Sequence, residues 1–342
     1  MQGILNNVTR DQALSQLGLD WTVVKAPVKA YPKAGPLDGA EVAVPGLYAL
    51  LRSDDGTPLG SCGERYTPYS NGQMLELLEK ATKIVNVPLA AATCWRGGRQ
   101  VSFTIATHEF EAVKGDEVKQ FAIANLDHTG AGGITFGATN VRPVCWNTWR
   151  MAVTEARAGG RNSARHTVTV DAQVEALVKR LVAVREAGIR LAPVVQGLAQ
   201  TKAPSSEVFF RGLFGLLVEQ PKEAQFSPDA DGLKKLDEAR ERFEYARKRQ
   251  TAKWEEALAD KRQDGVRGTL WGLFNAVTQY VDHASRASSE ADRAYSATFG
   301  RGADVKDAAF KFAVTTMQVG PRNAQAFAGL TAERSADTDS LS

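Results

Sequence analysis

Cysteine is scarce in this chain: Cys62, Cys94 and Cys145 are the three among 342 residues. An odd number at wide spacing argues against a disulfide framework and for reduced thiols in a cytoplasm. Histidine is nearly as rare, with four, and the chain contains no Cys-x-x-Cys or His-x-x-x-His pair of the kind that builds zinc sites. No apolar run approaches the roughly 20 residues of a helical membrane span. The start, MQGILNNVTRDQ, lacks a basic region followed by an apolar one, so no signal peptide is expected. Neither sign of charge dominates, since 42 Lys and Arg face 39 Asp and Glu for a net charge of +3. Nucleic-acid binding, if present, must therefore come from local clustering of cations. What the chain does have is apolar content, 43% of its residues, enough to bury a sizeable core in one large domain or two.

In chain order, Thr9-x-x-Gln12 reads as a capping box for a short helix that Gly18 closes. Trp21 to Val28 alternates as a strand, and Tyr31 to Gly39 is a Pro/Gly-rich loop. Tyr48 to Arg52 and Leu59 to Tyr66 flank Asp54-Asp55-Gly56, a hairpin signal. Asn71 is placed to cap a helix whose stripe is Met74, Leu77, Leu78, Ala81, Ile84 and Val85, and Pro88 stops it. After Gly160 helices take over. Asp171 starts one through Leu177, Leu181 and Val184; Ser206 to Glu219 is apolar on one face; Leu233 to Arg262 is long and charged. Thr269 to Arg286 and Val305 to Thr315 are amphipathic. The polar tail from Gly329 has nothing apolar to anchor it and is expected to be disordered. These readings divide the chain into a sheet domain at 1–167, a helical region at 168–328 and a tail at 329–342.

The stretch from Trp95 to Arg165 combines alternation, glycine turns, aromatics and cations. Val101, Phe103 and Ile105 alternate with Ser102, Thr104 and Ala106, a strand with one face buried. Lys114-Gly115-Asp116 supplies a turn, Val118 to Leu126 a second strand, Thr129 to Gly133 a second turn, and Ile134 to Val141 a third strand. Beyond Pro143 the period becomes helical, with Cys145, Thr148, Trp149, Ala152 and Ala156 on one stripe and Gly159-Gly160 at its end. The fold class predicted is α+β: an antiparallel β-meander followed by a helix, a β-β-β-α core, and a largely helical C-terminal region.

Candidate chemistry converges on the same stretch. Arg96, Arg99, Lys119, Arg142, Arg150, Arg157, Arg161 and Arg165 bracket the meander, with Trp95, Trp146 and Trp149 beside them. Cations that track phosphates and aromatics that stack bases are what a single-strand groove requires; the plain alternative is an ordinary basic surface over core tryptophans. Asp127-His128, Cys145 and His166 could be read as a metal set or a Cys/His pair, but their spacing matches no metal motif, and Cys145 falls on the stripe assigned to the core. The Gly130–Gly133 tract lacks the Lys-Ser/Thr of a phosphate loop and reads as a turn. No catalytic set, metal or cofactor is predicted.

Several segments in order resemble a known family: LGLDWTVVKAPV (Leu17 to Val28), LRSDDGTPLGSCGERYTPYSN (Leu51 to Asn71), NVRPVCWNTW (Asn140 to Trp149), Arg165-His166-Thr167 and GTLWGLFNAVTQYVDH (Gly268 to His283). They are similar to the phage- and plasmid-encoded proteins grouped under a domain of unknown function, the phage/plasmid-like proteins, from about Leu17 to Phe312. The resemblance implies mobile-element DNA biology in a bacterial cytoplasm and carries no established catalytic residues. Where that family has a short Asp-Gly-Ser turn after its histidine, this chain has the longer His128 to Gly133. In architecture, a basic β-β-β-α unit also resembles ring-forming single-strand annealing recombinases, a likeness of fold from which function does not follow by itself.

The expectation is a protein that binds single-stranded DNA and promotes strand annealing in phage or plasmid replication or recombination, without a cofactor. In this reading Arg96, Arg99, Lys119, Arg142, Arg150, Arg161 and Arg165 contact phosphates, Trp146 or Trp149 stacks a base, and the long charged helix mediates contacts in a homo-oligomer, for example a ring. Two other classes stay open: a host-takeover or anti-defence factor that binds a bacterial protein, and a metal-dependent nuclease.

Overall fold

The computed structural model describes residues 14–85, 89–142, 147–151, 163–172 and 181–320. The chain divides into two compact units, one drawn from Met1–Glu109, Lys119–Asn140 and Met151–Ile189, the other from Phe110–Val118, Val141–Arg150 and Arg190–Ser342. The capping box at Thr9, the glycine pair at 159–160 and the tail from 329 lie outside the described residues, as does the stretch joining Ala172 to Leu181 on the helix expected from Asp171.

In the first unit β1 (Val23–Ala30), β2 (Val42–Arg52) and β3 (Pro58–Gly63) form an antiparallel sheet in that order. The β2–β3 turn is the Asp-Asp-Gly hairpin that the sequence predicts: the Asp55 carboxylate accepts from the Thr57 amide at 2.8 Å, and Gly56 takes φ +71. Helix α1 (Asn71–Val85) follows, but Asn71 does not cap it. Ser70 does, accepting from the Gln73 amide at 3.1 Å while Gln73 accepts from the Ser70 amide at 2.9 Å, a reciprocal capping box. The Asn71 side chain is committed to other partners. Met74, Leu75 and Leu78 on α1 are buried against the core.

The larger antiparallel sheet has β4 (Leu89–Trp95), β5 (Gln100–Glu111), β6 (Glu117–Asp127), β7 (Ile134–Arg142) and β8 (Asn147–Met151) in that order, with β9 (Ser163–Ala164) pairing the start of β7. The predicted meander is β5-β6-β7. Past it the structure departs from expectation, because Asn147–Met151 is a strand and not part of a helix. Over five residues a helical stripe and a strand are hard to separate by spacing, and pairing with β7 decides the outcome. The meander is also less one-sided than its alternation implies. Val101, Phe103 and Ile105 face the core, yet Ser102 and Asn125 on the opposite face are buried as well, and Thr107 and Gln120 are polar residues buried on the core-facing side. Their polar atoms are matched: the Trp95 indole N–H donates to Ser102 Oγ at 2.8 Å, Ser102 to Asn125 Oδ1 at 3.0 Å, and Thr107 to Gln120 Oε1 at 2.9 Å. Gly188 of helix α2 (Leu181–Gln200) lies so close to Gln120 that a Cβ there would stand 2.1 Å from Oε1.

The second unit is helical, as predicted. It holds the rest of α2, then α3 (Ser206–Leu217), α4 (Ala230–Leu258), α5 (Leu270–Gln279) with a π-helical turn at Tyr280–Ala284, α6 (Glu290–Phe299) and α7 (Arg301–Val319). Ser205, Asp229, Thr269 and Ser289 each accept an amide hydrogen bond at a helix start. All ten residues of α5 are buried, so it is a central helix and not the amphipathic one expected. Aromatic rings knit the core, Phe209 with Phe312 at 5.0 Å and Phe210 with Trp254 at 5.6 Å among them. The Trp271 indole N–H donates to the Asp116 carboxylate at 2.9 Å within this unit. A buried ion pair completes it: Lys306 Nζ lies 2.7 Å from Asp282 Oδ1, with side-chain exposures of 0% and 7%.

Breaking a buried pair from one side strands the other charge in a medium that solvates it poorly. Lys306→Met should therefore cost about 3–5 kcal/mol of stability, and Lys306→Met with Asp282→Leu should recover part of that loss. Urea midpoints of the two variants measure both effects.

Candidate functional site

Two kinds of turn lie at one end of the larger sheet. The β4–β5 turn is a short 3-10 segment, Arg96–Gly98, and the β6–β7 turn runs from His128 to Gly133. The first is tight: Arg96 takes φ +50, and a Cβ on Gly98 would stand 2.8 Å from the Trp21 ring. The second is pressed onto β3, since a Cβ on Gly130 would stand 2.1 Å from the Ser61 carbonyl and one on Gly60 would stand 2.0 Å from the Thr129 carbonyl. These contacts explain the long glycine tract. It lets two backbones approach, with the Ser61 amide donating to the Thr129 carbonyl at 3.2 Å, and it is the turn predicted. The His128 amide donates to the Arg99 carbonyl at 2.8 Å, which ties one turn to the other.

Beneath the turns lies a buried polar cluster. The Asn71 amide donates to the carbonyls of Leu19 at 3.2 Å and Trp21 at 3.4 Å, and its oxygen lies 3.1 Å from His128 Nε2. An amide oxygen only accepts, so Nε2 carries the proton and Nδ1 is the bare nitrogen of the neutral ring. The Trp21 ring meets His128 edge-on at 5.4 Å. His166 stacks on Tyr66 at 4.7 Å, and the Thr67 amide donates to the His166 carbonyl at 3.0 Å. The Asp127 carboxylate accepts from the amide and hydroxyl of Thr129 and, at 3.4 Å, from Gln100 Nε2. Among the described residues, His128 Nδ1, both ring nitrogens of His166, the Tyr66 hydroxyl and Gln100 Oε1 are buried without a well-aligned hydrogen bond.

Burial sets the protonation states. His128, fully enclosed, is pushed down to about 4 by desolvation first and by His166 second, against an opposing pull from Asp127. Desolvation also lowers His166, with the backbones of Thr67 and Asp127 acting the other way. Tyr66 is raised, mainly by burial and then by Cys62 and Asp127. Both imidazoles are thus neutral near pH 7 and can accept or relay a proton, but not serve as buried cations. Among the described residues no group of three or more His, Cys, Asp and Glu is arranged to hold a metal ion. Asp127, His128 and His166 do come together, while Cys145 lies outside the described residues.

The predicted groove residues separate into groups. Arg96, Arg99 and Arg165 are exposed at the turn end, Arg165 through β9 and its pairing with Ile134. Arg52 joins them, its guanidinium 4.6 Å from the Trp21 ring and bonded to Asp54. Lys119 lies eight residues along β6 from Asp127, about 26 Å at strand rise, and sits 3.4 Å from Glu109. Arg142 ends β7, and Trp149 and Arg150 belong to β8; these three fall in the second unit, with side chains outside the described set. Trp146, Arg157 and Arg161 also lie outside the described residues. Sequence reasoning missed Trp21, Arg52, Tyr66, Asn71 and Gln100, whose roles rest on contacts between distant segments.

The molecule is thus an α+β protein whose larger sheet carries exposed arginines at one end, beside a buried polar cluster. The family model described as "Domain of unknown function (DUF932)" matches residues 58–299, from the first residue of β3 to the last of α6, and the chain belongs to that family. No curated protein and no solved structure matches the chain. Among the described residues no helix is long and apolar enough to cross a membrane.

A histidine whose folded pKa is depressed destabilises the fold as pH falls, because the unfolded chain takes up the proton first. For His128 the loss begins near pH 6.5 and is complete near pH 4, at up to about 1.4 kcal/mol per pH unit. Urea unfolding at pH 7 and pH 5 should show a drop of about 2 kcal/mol from this residue. His128→Gln, which keeps a donor for Asn71, should remove that part of the slope.

Proposed function

We propose that this protein binds single-stranded DNA through the turn end of its larger sheet and promotes strand annealing in phage or plasmid replication or recombination in a bacterial cytoplasm. One observation carries the reading. Arg96 and Arg99, on the β4–β5 turn, and Arg165, just past β9 and distant from them in sequence, are all exposed at one end of the larger sheet, beside the buried polar cluster. Arginines on a rigid backbone present their guanidinium forks to phosphates at low conformational cost. Trp21 beside them is buried and Trp95 half-buried, so the contacts made there are to the phosphate chain and tolerate any base sequence. Lys119, paired with Glu109 far along β6, takes no part. Phage or plasmid biology and the likeness to annealing recombinases belong to this proposal and rest on the motifs quoted above.

The test is fluorescence anisotropy of a labelled oligothymidine across a salt series, with a duplex of equal length as control. The single strand should bind tightly and lose affinity with salt. Combining Arg96→Ala, Arg99→Ala and Arg165→Ala should flatten the log–log salt slope by about 2, at about 0.7 per phosphate contact on a single strand. Lys119→Ala should leave it unchanged. An unaltered slope in the folded triple variant overturns the site, and absence of binding at low salt overturns the function.

A further inference from the structure

Helix α4 has two faces of opposite character. Leu236, Phe243, Trp254 and Leu258 are buried in the second unit. Diametrically opposite, Lys234, Glu238, Glu241, Tyr245, Arg249, Ala252 and Glu256 are all exposed, Tyr245 at 68%. At 3.6 residues per turn these seven fall within about 40° either side of Tyr245. Glu238, Glu241, Arg242 and Tyr245 line a shallow depression on this face.

The order of charges along the stripe is what distinguishes it from an ordinary solvated face. Counting outward from Tyr245, Glu241 stands four residues before it and Arg249 four after; Glu238 and Ala252 stand at seven, and Lys234 and Glu256 at eleven. Each charged position at four and eleven residues thus has the opposite charge at the mirror position. On the flanks Asp237 mirrors Lys253 and Lys235 mirrors Glu255, while Arg242 and Lys248 are the one like-charged couple. Such a stripe complements itself when a second copy of the same helix lies antiparallel across it with a two-fold axis at Tyr245. Glu241 then faces the second copy's Arg249 twice over, Lys234 faces its Glu256, and the two Tyr245 rings meet at the axis. Within the chain, among the described residues, Lys234, Glu241, Arg249 and Glu256 form no ion pair, whereas neighbours off the stripe do, such as Lys235 with Asp231 and Arg247 with Glu244.

We infer that this face of α4 is a homodimer contact, an isologous antiparallel helix pair centred on Tyr245. An isologous contact closes on itself, so it gives a dimer and not a ring or filament. Apolar area on the stripe is small and its charges are exposed, so association is weak and salt-sensitive.

Charge exchange tests this without disturbing the buried face. In sedimentation-velocity series at low salt the unaltered chain should dimerise as concentration rises, and the dimer should dissociate as salt rises. Glu241→Arg alone sets Arg against Arg249 twice, and Arg249→Glu alone sets Glu against Glu241 twice; each should weaken dimerisation about tenfold or more. An equimolar mixture of the two single variants, and the double variant by itself, should regain it. A monomer at every concentration in low salt overturns the inference. So does a dimer indifferent to Glu241→Arg, a mixture that fails to regain association, or growth beyond the dimer through this face.

Discussion

One buried amide holds the polar half of the first unit together. Asn71 is almost wholly enclosed, and its side chain must place two N–H groups and one oxygen in a region that water does not reach. The N–H groups go to the carbonyls of Leu19 and Trp21 and the oxygen to His128. These three partners belong to the approach to β1 and the end of β6, and Asn71 itself begins α1. Leaving any of these groups unpaired would cost on the order of 1–3 kcal/mol, so the amide fixes where the segments meet. It also fixes the tautomer of His128, and with it the bare Nδ1 in the cluster.

The surface turns inherit their position from that core. His128 hands its backbone amide to Arg99, Trp21 supports Gly98 from below, and Arg52 lies against Trp21 and reaches the Gly97 carbonyl at 3.4 Å. The arginines at this end therefore stand on short, cross-tied loops. Glycine makes the arrangement possible where backbones approach within reach of a missing Cβ, at Gly60 and Gly130. The helical unit relies on a different device. Its capped helices surround α5, and the charge it buries, Lys306, is met by Asp282.

Local signals were legible in the sequence wherever a structure depends on neighbours in the chain. The Asp54-Asp55-Gly56 hairpin, the strands β5, β6 and β7, and α3 and α4 all follow from turn chemistry or periodicity. Misreadings cluster where a neighbour is remote. Asn71 had the residue type of a cap, yet Ser70-x-x-Gln73 was the box one position earlier. The residues of β8 had a helical stripe, but pairing with β7 drew them into the sheet. In β5 the alternation identified the core face correctly and gave no sign that Ser102 on the other face would also be covered.

For the site the division is sharper. The sequence by itself determined that this is an α+β chain with a meander and a helical C-terminal region, that cations bracket that meander in the sequence, and that opposite charges stand at four and eleven residues on either side of Tyr245. These are properties of spacing along one backbone. Only the tertiary structure decided that Arg96, Arg99 and Arg165 share one end of a sheet while Lys119 stands about eight strand residues away, and that His128, His166 and Tyr66 meet in the dark beneath them. The reason is geometric. Antiparallel strands bring together residues whose separation in sequence depends on every turn between them, and burial, which sets a histidine's charge, is a property of everything that covers it.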